Sequence, residues 1–151
     1  MEIKNILVPI DFSENSVKIL RASLYFGNKC KARLHFVFVV QSFDDYSGFF
    51  VPHTPIARFE EELLLSAQKK MKEYLKENLP ADISHQSKVV SGDVAEEILI
   101  YAEAEKIDMI VMGTHGYKGL EKVLFGSVAE KVVKTASCPV MTINPYTVKL
   151  E

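Results

Sequence analysis

The stretch Ile107-Asp-Met-Ile-Val-Met-Gly-Thr-His-Gly116 is followed, nine residues later, by Gly126-Ser127 and a helical pattern. The apolar residues from Ile107 to Met112 include β-branched side chains and end at a glycine, which predicts a short buried strand. After Gly126-Ser127, apolar side chains recur at helical spacing with lysines between them, which predicts an amphipathic helix. A strand, a glycine-containing turn and a helix therefore follow one another here.

The glycines of this stretch are placed for anion binding. Gly113 and Gly116 have no side chain, so backbone N–H groups can approach a ligand closely. Gly126 and Ser127 stand where a helix leaves its first N–H groups unpaired and its dipole positive. The Ser127 hydroxyl can donate to a phosphate or cap the helix. Ordinary turn and cap residues are the alternative, but their combination between strand and helix favours a phosphate site.

The pattern Gly113-x2-Gly116-x9-Gly126-Ser127 resembles the nucleotide motif of the universal stress protein family, in its ATP-binding branch. The family's other branch lacks the glycine pattern and does not bind ATP. The similarity extends over nearly the whole chain, through Asn-Ile-Leu-Val-Pro-Ile-Asp-Phe-Ser at 5–13, Ser-Gly-Asp at 91–93 and Cys-Pro-Val at 138–140. In this stretch the resemblance implies nucleotide contacts at Met112, Gly113, His115, Gly116, Gly126, Ser127 and Val128.

The first predicted strand, Asn5 to Ile10, is followed directly by Asp11. Open α/β sheets bind ligands at the carboxyl ends of their strands, so Asp11 is a candidate acceptor for a ribose or adenine hydrogen bond. The alternatives are a turn-forming aspartate and a phospho-acceptor, which needs further acidic residues that are not well placed here. The resemblance implies an adenosine contact at Asp11, with Pro9 and Ile10 as neighbours and Val39 of the second strand against adenine.

Composition limits the class of protein. The chain has 151 residues, 48% apolar and 25% charged, which suits one domain over 1–146 with a tail over 147–151. We interpret the last two residues as a candidate cloning remnant. A net charge of −2 argues against nucleic acid or an anionic membrane as partner. The sequence also has no apolar run of membrane-spanning length and no signal-peptide pattern.

The two cysteines, Cys30 and Cys138, show no metal or redox spacing. We expect both to be buried free thiols in a reducing cytoplasm. His35 interrupts an apolar strand, and such a residue is most often a structural histidine with satisfied hydrogen bonds. The irregular segment 41–55 contains acidic and aromatic residues, and a loop of this length is usually functional or mobile.

Periodicity predicts strands and helices in strict alternation, and hence an open parallel α/β sheet of Rossmann-like type with helices on both faces. The resemblance implies five strands in the order 3-2-1-4-5, which would bring Asp11 beside Gly113 at the switch point. The predicted elements after the first strand are a helix from Ser13 to about Gly27-Asn28, a strand at 33–40, a helix at 56–79, an edge strand at 84–90, a helix capped by Asp93, a strand at 107–112, a helix after Gly126-Ser127, and a strand from Val140 to Ile143.

Three functional hypotheses follow. The first is a regulatory stress-response dimer that binds ATP, or AMP or another adenine nucleotide, with Mg²⁺ or Mn²⁺ held by phosphate oxygens and water. The second is a slow ATPase or phosphotransferase, which would need a positioned base and a metal clamp. His115 is the titratable candidate inside the motif, and we interpret it as a phosphate or ribose contact rather than a base. The third is a dimeric scaffold without functional nucleotide binding. The resemblance implies that the dimer forms through Val140 to Ile143. No catalytic or metal-ligating side chain is assigned.

Overall fold

Strands and helices alternate along the chain, as predicted. The computed structural model describes residues 2–42, 55–115 and 125–148, and for 55–57 the backbone alone. The elements are β1 (Asn5–Pro9), α1 (Glu14–Cys30), β2 (Arg33–Gln41), α2 (Pro55–Asn78), β3 (His85–Gly92), α3 (Val94–Ala104), β4 (Met109–Gly113), α4 (Ser127–Thr135) and β5 (Val140–Ile143). Most of the segment from 41 to 55 lies outside the described residues, so the prediction made for it does too.

The strands of the described residues form one parallel sheet of five, in the order β3-β2-β1-β4-β5. This confirms the order that the family resemblance implied. Leu7 of β1 pairs with His35 on one side and with Ile110 of β4 on the other. From β1 the chain adds β2 and β3 on one side of the sheet and then β4 and β5 on the other, so the switch point lies between β1 and β4. In open α/β sheets the ligand crevice lies at such a point, outside the carboxyl ends of the strands.

Side chains along each strand alternate between the two faces of the sheet. In β1, Ile6 and Val8 belong to one buried cluster and Leu7 to the other. Helices α1 and α2 pack on the first face and α3 and α4 on the second, which confirms helices on both faces. The helical members are Ile19, Leu20, Met71 and Leu75 in the first cluster and Ala95, Ile98, Ala129 and Val132 in the second.

Helix α1 continues beyond its predicted end at Gly27-Asn28. It runs to Cys30, and Lys31 then adopts a left-handed conformation with φ 53°. Gly27 is buried, and a Cβ added to it would lie 3.0 Å from Leu34 Cδ2. The glycine therefore allows close packing of helix on strand instead of ending the helix.

The cysteine prediction is wrong for Cys30, which is exposed because α1 carries it to the helix end. Cys138 is half-buried, and burial raises the pKa of its thiol. Some predicted bounds also shift. Strand β1 ends at Pro9, although Ile10 N still donates to Val37 O at 2.8 Å. Strand β3 is an edge strand as predicted but extends to Gly92.

Across the described part of the chain, no helix combines the length and the apolar character that crossing a membrane requires.

Candidate functional site

The end of β4 and the start of α4 are joined directly by a backbone hydrogen bond. Gly113 is the last residue of β4 and Gly126 is the N-cap of α4. Gly126 N donates to Thr114 O at 2.7 Å, and Thr114 N donates to Ile143 O at 2.9 Å. The residues after β4 are thus held between the start of α4 and the end of β5. The structure brings Gly113, His115 and Gly126 together, while Gly116 lies outside the described residues.

Both described glycines of the motif occupy places where a Cβ atom would fit tightly. A Cβ on Gly113 would lie 3.0 Å from His115 O, and a Cβ on Gly126 would lie 3.3 Å from Thr114 O. Gly126 has an ordinary extended conformation, with φ −73°. Close approach of backbone to backbone, and not an unusual dihedral angle, is therefore what glycine provides here.

The first turn of α4 presents N–H groups without intrahelical partners. The first helical bond runs from Glu130 N to Gly126 O at 2.9 Å, so the N–H groups of Ser127, Val128 and Ala129 precede the hydrogen-bonded part of the helix. Ser127 is the first helical residue and is exposed. The alternative that Ser127 caps the helix is wrong, because Gly126 occupies the cap position. Val128 packs with its side chain against the second core cluster, which leaves its backbone as the contacting group.

His115 is buried beside the turn, with 8% of its surface exposed. Its Nδ1 atom lies 2.8 Å from the hydroxyl oxygen of Thr114. The ring also meets Tyr146 edge to face, with 5.4 Å between centroids and 73° between planes. The imidazole is therefore oriented from both sides, by the residue before it and by the segment that follows β5.

Asp11 organises the turn at the end of β1. Its Oδ1 atom accepts hydrogen bonds from Ser13 N at 3.0 Å, from Ser13 Oγ at 2.7 Å and from the Ser16 hydroxyl. The turn-forming alternative for Asp11 is thus confirmed. All three bonds go to Oδ1, and the Oδ2 atom takes part in none of them. Phe12 follows with φ 58°, a strained value for a residue other than glycine, and such strain clusters at functional sites.

The apolar residues predicted to contact adenosine lie at the carboxyl ends of the strands. Ile10 and Val39 are buried, and Pro9 is half-buried at the end of β1. Val39 lies in β2 two residues beyond Val37, the partner of Pro9. Met112 is buried in β4, next to Gly113. These residues therefore lie at the same end of the strands as Asp11 and the glycine turn.

Sequence reasoning missed the role of two tyrosines. The Tyr74 ring packs edge to face on Phe12, with 5.6 Å between centroids. Its hydroxyl is buried, however, and has no hydrogen-bond partner among the described residues. Burial and then the charge of Asp11 raise the pKa of Tyr74 to about 12, and the nearby Ser16 hydroxyl offsets only part of this. The second is Tyr146, whose ring contacts His115.

The described residues include no group of three or more His, Cys, Asp and Glu side chains that could hold a metal ion.

An open parallel sheet with a glycine-containing turn at its switch point defines a doubly wound α/β protein. The sequence model described as the universal stress protein family matches residues 2–144. The chain therefore belongs to the universal stress protein family, which confirms the family predicted from the glycine pattern.

Relatives and solved structures agree with this assignment. Universal stress protein MJ0531 of Methanocaldococcus jannaschii is 34% identical over 143 residues, which cover 93% of this chain and 82% of that protein. The solved structure of MJ0577 from the same organism superposes with a TM-score of 0.79 at 29% identity, covering 95% of this chain and 97% of that one. A universal stress protein solved in complex with cAMP has a TM-score of 0.63, with 96% and 99% coverage. Its identity is 16%, so that likeness shows the fold alone.

Proposed function

We propose that this universal stress protein binds an adenine nucleotide, ATP in the first place, and that the bound nucleotide regulates a homodimer in the stress response. The observation that carries the proposal is the hydrogen bond from Gly126 N to Thr114 O, which brings the start of α4 against the turn after β4. A helix start and a glycine turn at the carboxyl edge of a parallel sheet form an anion site.

The phosphates would lie at the start of α4. The N–H groups of Ser127 and Val128 have no partner within the helix, and the exposed Ser127 hydroxyl stands beside them. The positive end of the helix dipole adds to their attraction for an anion. Gly113 would keep the opposite wall free of a side chain, and His115 would contact the phosphates or the ribose. The family resemblance implies a further contact at Gly116.

The adenosine would lie at the end of β1. Asp11 already uses Oδ1 to hold its own turn, so Oδ2 is the oxygen that would accept a ribose or adenine hydrogen. Pro9, Ile10 and Val39 would supply apolar contacts to the base, and Met112 would lie under the link to the phosphates. The adenine nucleotide as ligand class rests on the resemblance of Gly113-x2-Gly116-x9-Gly126-Ser127 to the motif of the family's ATP-binding branch.

A divalent cation, Mg²⁺ or Mn²⁺, would arrive with the nucleotide. Mg²⁺ is commonly held by substrate phosphates and water with few protein ligands. The homodimer would form through β5, which is an edge strand of the sheet that the described residues form, and an edge strand can pair with another strand. We place this function in the cytoplasm, where the exposed Cys30 and the half-buried Cys138 remain free thiols.

Calorimetric titration tests the proposal with ATP and AMP, each with and without Mg²⁺. The variants are Gly126→Asp and Gly126→Asn. Both new residues favour the N-cap position and have nearly the same shape, but only aspartate brings a negative charge against the phosphates. We expect micromolar ATP binding by the wild type and a much larger loss in Gly126→Asp than in Gly126→Asn.

Absence of binding by the wild type for either nucleotide would overturn the proposal. Equal losses in the two variants would show that the added volume matters and that no anion lies at the helix start. Analysis of the nucleotide recovered after titration separates a binding protein from an ATPase, because hydrolysis would convert ATP to ADP and phosphate during the incubation.

A further inference from the structure

We propose that Tyr146 is a positioning residue for the nucleotide, which holds the His115 ring against the phosphate-binding turn. Tyr146 belongs to the C-terminal strap, residues 144–148, and this strap forms a wall of the crevice. This inference rests on the proposed nucleotide site and deepens it. The evidence is the edge-to-face contact of Tyr146 with His115, 5.4 Å between ring centroids.

The strap follows directly after the residue that supports the turn. Ile143, the last residue of β5, accepts the hydrogen bond of Thr114 N at 2.9 Å. The strap leaves β5 after Ile143, and three residues after Ile143 the ring of Tyr146 contacts His115. The end of β5 and the strap therefore contact two consecutive residues after β4, by a backbone bond at Thr114 and by a ring contact at His115.

The strap has a defined conformation of its own. Asn144 makes three hydrogen bonds within the strap. Its Oδ1 atom accepts a hydrogen bond from Tyr146 N at 3.0 Å, and its carbonyl oxygen accepts hydrogen bonds from Thr147 N at 3.3 Å and from Val148 N at 3.1 Å. A side chain that accepts from the backbone two residues on forms an Asx turn, which fixes the direction of the chain. Tyr146 is thereby aimed by its own turn.

The strap is also fastened to the body of the protein at two places. Pro145 is buried, and its carbonyl oxygen accepts a hydrogen bond from Lys18 Nζ of α1 at 2.5 Å. Val148 packs against the first core cluster. An ammonium bonded to a carbonyl gives a charge-assisted hydrogen bond, stronger than a neutral one. These anchors lie on either side of Tyr146, so the ring is held from both directions.

Positioning, and not core packing, is what the exposure of Tyr146 indicates. The residue keeps 42% of its surface exposed, whereas His115 beneath it keeps 8%. Removing the tyrosine ring would therefore release a contact that orients His115. The contact from Nδ1 to the Thr114 hydroxyl at 2.8 Å would remain.

The test compares Tyr146→Leu, Tyr146→Phe and the control Tyr25→Leu. Tyr25 is likewise exposed, at 60%, and meets Phe26 edge to face at 5.4 Å, but lies towards the far end of α1. Affinities for ATP and for adenosine are measured by calorimetry, His115 ring resonances by NMR, and stability by thermal unfolding. Edge-to-face ring pairs contribute enough that Tyr146→Leu should weaken ATP binding about three- to tenfold.

Of the two contacts proposed for His115, the positioning role concerns the phosphates, which adenosine lacks. Adenosine binding should therefore remain unchanged in Tyr146→Leu. Tyr146→Phe keeps the ring and should bind ATP as the wild type does, and so should Tyr25→Leu. The His115 ring resonances should shift in Tyr146→Leu and stay in place in Tyr25→Leu.

Full ATP affinity in Tyr146→Leu, or an equal loss for adenosine, would overturn the positioning role while leaving the nucleotide site standing. A loss that follows a fall in melting temperature, and that Tyr146→Phe shares, would show a structural effect only and would also overturn it. A wild type that binds no nucleotide would instead refute the site and the positioning role together.

Discussion

The Nδ1 atom of His35 lies 3.1 Å from the hydroxyl oxygen of Tyr101, and its Nε2 atom lies 3.2 Å from Asn5 Oδ1. Gln86 Nε2 donates to the same tyrosine hydroxyl at 2.9 Å, so the hydroxyl is able to donate its own hydrogen to His35. A neutral imidazole satisfies this arrangement, with Nδ1 as acceptor and Nε2–H as donor. The prediction of a satisfied structural histidine in β2 is confirmed.

His35 should make the stability of the fold depend on pH. Burial, followed by the charge of Arg33, lowers the pKa of His35 from 6.5, and Glu105 opposes this only in part. The unfolded chain then binds a proton more readily than the folded one, so stability is full above pH 6.5 and falls as the pH drops through the lowered pKa. Urea unfolding at pH 7 and at lower pH should show this loss, and His35→Gln should reduce the slope.

His85→Gln is the matched control for His35. His85 is exposed and contacts the carbonyl oxygen of Ile83 at 3.0 Å, within its own turn. Its replacement should leave the pH dependence of the unfolding free energy as it is in the wild type. An unchanged slope in His35→Gln, or an equal change in both variants, would contradict the assignment of this pH dependence to His35.

Two tyrosine hydroxyls should respond in opposite ways to removal. The Tyr74 hydroxyl is buried without a hydrogen-bond partner among the described residues, whereas the Tyr101 hydroxyl contacts both His35 and Gln86. Tyr101→Phe leaves those groups unpaired and should lower the free energy of unfolding by about 1–2 kcal/mol. Tyr74→Phe removes an unsatisfied group and should leave stability unchanged or raise it by up to about 1 kcal/mol. A large loss in Tyr74→Phe would mean that its hydroxyl is satisfied after all.

The sequence predicted those parts of the fold that depend on the local pattern of apolar and polar residues. The run from Ile107 to Met112 predicted the buried strand β4, although the observed strand begins at Met109 and includes Gly113. The alternation of Ile6, Leu7 and Val8 between the two faces follows from the period of a strand. Strand order came from the family resemblance, because the pattern alone does not say which strands are neighbours.

The parts that sequence reasoning missed depend on contacts between distant segments. Glycine is common at the end of a helix, so Gly27 predicted that α1 would end there. Only the packing of Gly27 against Leu34 explains why α1 continues and carries Cys30 into solvent. Tyr146 meets His115 across thirty-one positions of chain, and no periodicity connects them. The signal that could have found Tyr146 is an aromatic residue directly after the strand that borders the glycine turn.

The start of α3 gives a further prediction about stability. Asp93 is its N-cap, and Oδ1 accepts a hydrogen bond from Glu96 N at 3.0 Å, which confirms the predicted cap. The hydrogen bond from Glu96 N is the main cause that lowers the pKa of Asp93 below 3.8, and Lys131 lowers it further. The stabilisation of the fold by ionised Asp93 should therefore persist until the pH falls through the lowered pKa. In chemical denaturation, Asp93→Ala should lower the free energy of unfolding by about 1 kcal/mol. Asp93→Asn should lower it by only about 0.3 kcal/mol, because asparagine is also a good N-cap residue.

Lys131→Met separates the cap from the ion pairs. Lys131 of α4 contacts Asp93 at 3.3 Å and Glu96 at 3.0 Å, across an exposed surface. Exposed ion pairs contribute little to stability and are screened by salt, so this variant should unfold nearly as the wild type does. A loss in Lys131→Met as large as that in Asp93→Ala would show that the ion pairs, and not the cap, stabilise this corner.

The proposed dimer can be tested at a single backbone N–H of β5. Ile110 N donates to Pro139 O and Thr114 N to Ile143 O, both at 2.9 Å. Bonding directions alternate along a strand, so Pro139, Met141 and Ile143 face β4, and Thr142 directs its N–H towards the open edge. Thr142→Pro would remove that outward donor and leave the ladder with β4 in place, since proline is tolerated at edge positions of this kind.

Thr142→Ala is the control, because it removes the same side chain but keeps the N–H group. If β5 pairs across a two-fold axis, sedimentation should show dimers for the wild type and Thr142→Ala, and monomers for Thr142→Pro. Circular dichroism should show that all three keep their fold. A dimeric Thr142→Pro would place the interface elsewhere on the surface, and a monomeric wild type would remove the dimer from the proposed function. Because a residue bonded to the phosphate turn, Ile143, follows Thr142 directly, repeating the sedimentation with ATP would also show whether the nucleotide strengthens the pairing.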